Sequence, residues 1–272
     1  MGKKLFYNPS QHPEWIPPHS QEWYDRLASE HGEYAYPWNS VFDETTAETI
    51  FGQKLSSYIT NKSRVLDVGC GHGHFLLRWA SNANEGVGID IQEKFISTAK
   101  SAEKADSFSF LTINVNDGLP FADDYFDVVY SKKGPWLFND RNPEGNRIIK
   151  RGGNVLQLMH GFTDGGLRAL FPGLFYVPTS PWDKTKAIQR VSEELQLSTS
   201  QLTDTDIQVI EEVEYLISPE DVLLKKCFGQ SKKLKDYVWK ECLDDVKKIF
   251  NVNATNKGLR VINYYFLISA RA

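Results

Sequence analysis

Residues 64–80 read "RVLDVGCGHGHFLLRWA". Arg64 to Val68 is a short leucine and β-branched run, of the kind buried on both faces of a parallel sheet. Three glycines follow at alternate positions, Gly69, Gly71 and Gly73. A backbone without Cβ takes left-handed conformations there and lets another molecule come close. Phe75, Leu76, Trp79 and Ala80 then recur at helical spacing. In open α/β sheets a strand, a glycine turn and a helix in this order mark the place where ligands bind, beyond the carboxyl ends of the strands.

The alternation continues on both sides. Asp43 is expected to N-cap a helix whose inner face carries Ile50, Phe51, Leu55, Tyr58 and Ile59. "EGVGID" at 85–90 reads as a second strand closed by an acid, and "QEKFISTAKSAEKA" at 92–105 as a helix. "FSFLTIN" at 108–114, "FDVVYSK" at 126–132 and "NVLQLMHG" at 154–161 read as three more strands. Pro143 to Lys150, opened by proline and stopped by Gly152 and Gly153, is the expected helix between the last two. Strands alternating with helices predict an α/β fold with a doubly wound parallel sheet. Later, Ser218-Pro219-Glu220-Asp221 opens a capped helix, and Lys232 to Phe250 forms another.

Composition limits the alternatives. The chain has 272 residues, 41% hydrophobic and 24% charged, with a net charge of −4. That describes an ordinary globular protein and not one that coats nucleic acid nonspecifically. Three cysteines (Cys70, Cys227, Cys242) without a CxxC pair make neither a disulfide framework nor a zinc ribbon, and they fit a reducing cytoplasm. No signal-peptide pattern and no uninterrupted apolar stretch long enough to span a membrane is present. Residues 1–42 stand apart as an N-terminal arm or cap, with nine aromatics, five prolines and three histidines. They are expected either to pack over the main domain, residues 43–272, or to lid a substrate pocket. His12, His19 and His31 lack the spacing of a metal pair, so no metal is expected.

Asp90 lies at the end of the second strand, 21 residues after Gly69, where a carboxylate accepts hydrogen bonds from two ribose hydroxyls. Both NAD and S-adenosylmethionine satisfy that arrangement. The glycine pattern separates them: a dinucleotide fingerprint needs GxGxxG, and His74 stands where its third glycine belongs. The GxGxG form, with Asp67 two residues ahead, suits a ligand that carries an amino acid and no phosphates, because the carboxylate attracts an ammonium.

"VLDVGCGHGHF", then "GVGID", then "LPFADDYFDVVYS" resembles the motif series of class I S-adenosylmethionine-dependent methyltransferases over roughly residues 43–161. The resemblance implies a seven-stranded, mainly parallel sheet with one antiparallel strand; "IQVIEEVEYLI" at 207–217 and "LRVINYYFLISARA" at 259–272 are the candidates for its last two. It also implies S-adenosyl-L-methionine as cofactor. Gly69, Gly71 and Gly73 would wrap the methionine part and Asp67 would orient its ammonium. Asp90 would bind the ribose, Ile91 would lie against the adenine, and Asn116 or Asp117 would meet the adenine amino group. Ser131 is then the position nearest the methyl group, and His160, with Asp164 in the following loop, is a candidate general base.

Other residues near the loop allow two readings each. Lys132 and Lys133 are either solvated or anion-binding; Gly134-Pro135 sets a turn and Trp136 is a possible pocket wall. Phe121 and Phe126 are expected to pack, and Cys70 to be a packing residue and not a nucleophile. His72 and His74 flank the loop, His74 as a possible contact to the cofactor carboxylate. No NPPY-type motif for base methylation is present. Residues 162–200 form the expected substrate-side loop region. Lysines 225, 226, 232, 233, 235, 247 and 248 are either helix faces balanced by acids or an RNA contact. The expected function is methyl transfer to a small-molecule acceptor. The alternatives are a ribosomal or transfer RNA methyltransferase, faintly suggested by "SKKGP" but without a cysteine zinc module, and a non-catalytic cofactor-binding protein. Oligomeric state has no signal.

Overall fold

A computed structural model describes residues 5–31, 34–102, 106–161, 165–175 and 182–272. In chain order the elements are α1 (Gln21–His31), β1 (Ser40–Phe42), α2 (Ala47–Ser56), β2 (Arg64–Val68), α3 (His74–Trp79), β3 (Glu85–Asp90), α4 (Glu93–Ser101), β4 (Phe108–Thr112), β5 (Phe126–Lys132), α5 (Glu144–Ile148) and β6 (Ile149–His160). They continue with α6 (Leu167–Leu170), α7 (Lys184–Glu194), β7 (Thr203–Leu216), α8 (Pro219–Lys226), α9 (Lys232–Asn253) and β8 (Leu259–Arg271). The sheet has eight strands in the order β1-β7-β8-β6-β5-β2-β3-β4. Strands β2 to β6 pair in parallel, and β8 is antiparallel to β6. This is the expected α/β sheet, extended beyond seven strands by β1, a three-residue edge strand antiparallel to β7.

That edge strand explains a correction. Asp43 does not cap α2, which begins at Ala47. Its carboxylate instead accepts from the Tyr215 hydroxyl at 2.8 Å and pairs with Lys257 at 2.6 Å. The helix expected over 143–150 is also shorter, because Ile149 already pairs with Phe126 and β6 starts there. Within 162–200, expected as loop, Asp183 caps α7 by accepting from the Lys186 N–H, and Ala187, Val191 and Leu195 are buried along it. Asp164 and residues 176–181 lie outside the described residues.

The chain forms two compact units. One comprises residues 47–161, 183–210 and 265–272, and the other 1–46, 162–182 and 211–264. In the first, Val65, Leu66 and Val68 of β2 are at most 1% exposed, with an apolar cluster on each side of the sheet. A Cβ added to Gly86 or Gly88 of β3 would strike Phe108 or Phe110 of the neighbouring strand, so β3's glycines make room for β4's rings. Gly52 of α2 meets the Trp79 indole in the same way. Burying such aromatic surface gives a few kcal/mol per side chain.

In the second unit the aromatics of residues 5–42 have partners. Trp23 is buried and donates its indole N–H to the Phe228 carbonyl at 2.8 Å. Trp23, Tyr34, Tyr36 and Trp38 ring Phe228 with centroids 5.2–5.7 Å away. Gln230, fully buried, takes the Ile16 N–H at 3.0 Å and returns its amide N–H to the Ile16 carbonyl at 2.7 Å. Phe6 N–H donates to the Pro172 carbonyl at 2.8 Å. His12 and His19 pack as rings, on Tyr237 and on Trp23 and Tyr24.

Candidate active site

The loop after β2 is built from three left-handed glycines, Gly69 at φ 77°, Gly71 at φ 55° and Gly73 at φ 80°. The outer two are packed: a Cβ on Gly69 would meet Gly134 Cα at 3.1 Å and Pro135 at 3.2 Å, and one on Gly73 would strike the Phe110 ring at 2.6 Å. Nothing lies within 4 Å of the corresponding point at Gly71. The loop is thus tied down at both ends, also through Gly69 and Cys70 N–H bonds to the Ile89 carbonyl, and open at its middle.

Two carboxylates frame it. Asp90 at the end of β3 accepts from the Gly71 N–H and from the Gln92 N–H, each at 2.9 Å. Burial pushes its carboxyl upward, and these backbone bonds partly offset that. Asp67, 2% exposed, accepts from the Tyr130 hydroxyl at 2.8 Å through Oδ2, while its Oδ1 is buried and has no hydrogen-bond partner. Burial raises its pKa from 3.8 to about 7, against the Tyr130 hydrogen bond and the Lys132 charge. An unpaired buried carboxylate oxygen is costly and uncommon.

The other predicted residues distribute unevenly. Ile91, 47% exposed, follows Asp90 and offers an apolar face. Asn116 and Asp117 are exposed in a single turn capped by Asn114. Cys70 is a packing residue as expected: burial pushes its thiol far up, so no thiolate forms. His72 and His74 stand edge to face at 4.4 Å. His160 is exposed at the end of β6, 5.1 Å from the Tyr265 ring.

Ser131 is 3% exposed and donates its hydroxyl to the Val68 carbonyl at 2.8 Å, so its oxygen ties β5 to β2. Gly134 packs immediately over it, with room for no Cβ. Lys132 is not a free anion site. Its ammonium pairs with Glu48 at 2.9 Å and lies 4.8 Å from the Phe75 ring centroid. Burial opposes the Glu48 charge, but Lys132 and Lys133 outweigh it and hold that carboxyl below its usual range.

Sequence reasoning missed Tyr130, Glu48 and Gln157. Tyr130 stands opposite Asp67 in the parallel ladder of β2 and β5, a pairing across 63 positions. Gln157, opposite Ser131 in the next ladder, donates to the Gly134 carbonyl at 3.1 Å and leaves its buried Oε1 without a partner.

A family model described as a methyltransferase domain matches residues 59–264. The chain belongs to this methyltransferase family. Malonyl-[acyl-carrier protein] O-methyltransferase of Erwinia billingiae is 30% identical over 114 residues, 40% of this chain and 44% of that protein. The chain therefore spans less than half the length of the curated relatives it matches. Among solved structures, a protein of unknown function from Deinococcus radiodurans R1 has a TM-score of 0.61 at 21% identity, over 92% of this chain and 99% of that one. A candidate methyltransferase from Bacillus halodurans C-125 has a TM-score of 0.53 at 16% identity, over 84% and 99%. These two likenesses show the methyltransferase's fold. No helix among its described residues is long and apolar enough to cross a membrane.

Proposed function

We propose that this methyltransferase uses S-adenosyl-L-methionine and methylates a small organic acceptor. The observation that carries the cofactor is the buried, partnerless Oδ1 of Asp67 beside a glycine loop that is open only at Gly71. An amino-acid ammonium satisfies that oxygen. Asp90 keeps lone pairs free for ribose hydroxyls, and the exposed Ile91 side chain suits the face of an adenine. A dinucleotide fits less well, since α3 has only six residues and His74 replaces the third glycine of a pyrophosphate site. When bound, the cofactor supplies an electrophilic methyl on a sulfonium. The contribution of the chain is to fix the ligand's charge and ribose and to exclude water, which is alignment catalysis.

The acceptor class rests on charge. Of the seven lysines that colour the second half, six have acidic partners: Lys225 with Glu214, Lys232 with Asp236, Lys233 with Glu14, Lys235 with Glu30, Lys247 with Glu220 and Lys248 with Asp245. The seventh, Lys226, lies over the Trp15 and Phe175 rings. Lysines that already face acids leave this side with less net positive charge to attract a phosphate backbone, and that attraction drives RNA binding. The named relative acts on an acyl-carrier-linked malonyl group. It supports an organic acceptor and does not specify this chain's own.

Calorimetry tests the cofactor: S-adenosylhomocysteine should bind and NAD should not. Asp90→Ala should weaken binding about 10- to 100-fold, as charge-assisted hydrogen bonds worth about 1.5–3 kcal/mol are lost. Unchanged affinity in that variant would remove Asp90 from the ribose. Transfer from methyl-labelled cofactor to separate small-molecule, RNA and protein fractions identifies the acceptor. Label appearing in RNA alone would overturn the small-molecule reading.

A further inference from the structure

We infer that Tyr130 is a positioning residue for the cofactor's ammonium, and that docking of that ammonium expels a proton from the Asp67–Tyr130 pair. The inference rests on the cofactor reading above and adds to it a residue and a pH dependence. By occupying Oδ2 at 2.8 Å, the Tyr130 hydroxyl holds the Asp67 carboxyl in one orientation and leaves Oδ1 as its remaining acceptor. Tyr130 is itself 1% exposed, wedged between the Phe51 and Phe75 rings at 6.1 and 5.8 Å. Its ring is thus packed in place beside the carboxyl.

The charged and titratable groups facing Asp67 come from several elements. They are Tyr130 and Lys132 of β5, Asp90 of β3 and the Cys70 thiol of the loop. Glu48 of α2 is held on Lys132 and reduces that lysine's help. Burial and Asp90 favour a protonated Asp67, while Tyr130 and Lys132 favour the carboxylate, and the two sets nearly balance at about pH 7. An arriving ammonium settles the balance. The neutral acid loses its proton to solvent, and the carboxylate keeps the Tyr130 bond while accepting one from the ammonium. Without Tyr130 the carboxylate would lose a donor and the proton would be held more tightly.

The test is calorimetry of the intact chain with S-adenosylhomocysteine between pH 5.5 and 7.5, in buffers of different ionisation enthalpy. The ligand's own amino group, with a pKa of roughly 7.7–8.0, is mostly protonated below about pH 7, where the acid limb is read. 5′-Methylthioadenosine, which lacks the amino acid, is the control. Affinity for S-adenosylhomocysteine should fall toward tenfold per pH unit on the acid side, with net proton release, while the control stays flat. Tyr130→Phe keeps the ring packing and should move the inflection to higher pH, which a purely structural tyrosine would not do. Asp67→Asn should flatten the profile. Tight binding of S-adenosylhomocysteine with no pH dependence, or an unmoved inflection in Tyr130→Phe, overturns the inference and leaves the cofactor reading standing. Failure of both nucleosides to bind overturns the cofactor reading, and the inference with it.

Discussion

Asp67 of β2 and Glu214 of β7 are equally buried, each 2% exposed, yet they are opposite in kind. Glu214 is saturated: one oxygen accepts from the Trp38 indole at 2.8 Å, and the other from Lys225 and Asn263, each at 2.7 Å. Burial opposes its charge, but these donors outweigh it and hold the carboxyl below its usual range. Asp67 has one donor and an oxygen with none, and burial wins. A buried acid that serves the fold is provided with its partners by the fold. Asp67 lacks that provision, and the cofactor reading proposed above assigns its spare oxygen to an ammonium.

The contrast is open to attack at three points. Glu214→Leu should have the largest effect, a loss of about 3–5 kcal/mol in denaturant unfolding, because it strands a mostly buried Lys225. A small loss would mean that the network is not structural. Asp67→Asn should act in the other direction. The folded-state pKa of Asp67, about 7, lies above its ordinary 3.8, so the folded chain holds a proton that the unfolded chain has released. Its contribution is intact below about pH 4 and is lost as pH rises to 7. The asparagine variant has no such loss, and urea unfolding at pH 8 should show it more stable by up to about 4 kcal/mol, the gap closing toward pH 4. Equal stability at both pH values would make Asp67 an ordinary satisfied carboxylate. The smallest effect is expected from Lys232→Ala. Its ammonium pairs with Asp236 at 2.9 Å on an 89% exposed side chain, and its thermal unfolding should stay within about 0.5 kcal/mol of the parent.

Local signals carried the sequence reading a long way. The glycine loop, the acid ending β3, the order of strands and helices and the capping box at Ser218 are all written in neighbouring residues, and the box is present with Asp221 as its return partner. What escaped depends on register or on distant chain. Tyr130 reads as one more apolar residue of β5 until β2 is laid beside it. Ser131 reads as a rim hydroxyl until the Val68 carbonyl is found within reach. In β7 the alternation of Ile207, Val209, Val213 and Tyr215 points to one inner face, yet of these only Tyr215 is buried, whereas Glu212 and Glu214 on the opposite face are, since donors from residues 38, 225 and 263 reach the second. α7 is hidden because its inner face shows only Ala187 and Val191, with Leu195 just past its end, behind an aromatic and proline-rich stretch.

The way the N-terminal arm is attached has an evolutionary consequence. Gln230 grips the peptide group of Ile16 and not its side chain. Gly173, at φ 95°, leaves room for the Phe6 backbone, and Gly229, at φ 71°, for the Trp23 indole. The arm is therefore held by its backbone at residues 6 and 16 and by the Trp23 ring, and the positions that receive these are fixed with them. Among homologues, the inheritance of the arm should be traced through its receptors: lineages that keep it retain glycine at 173 and 229 and glutamine at 230. Lineages that have shed it are released to place side chains there.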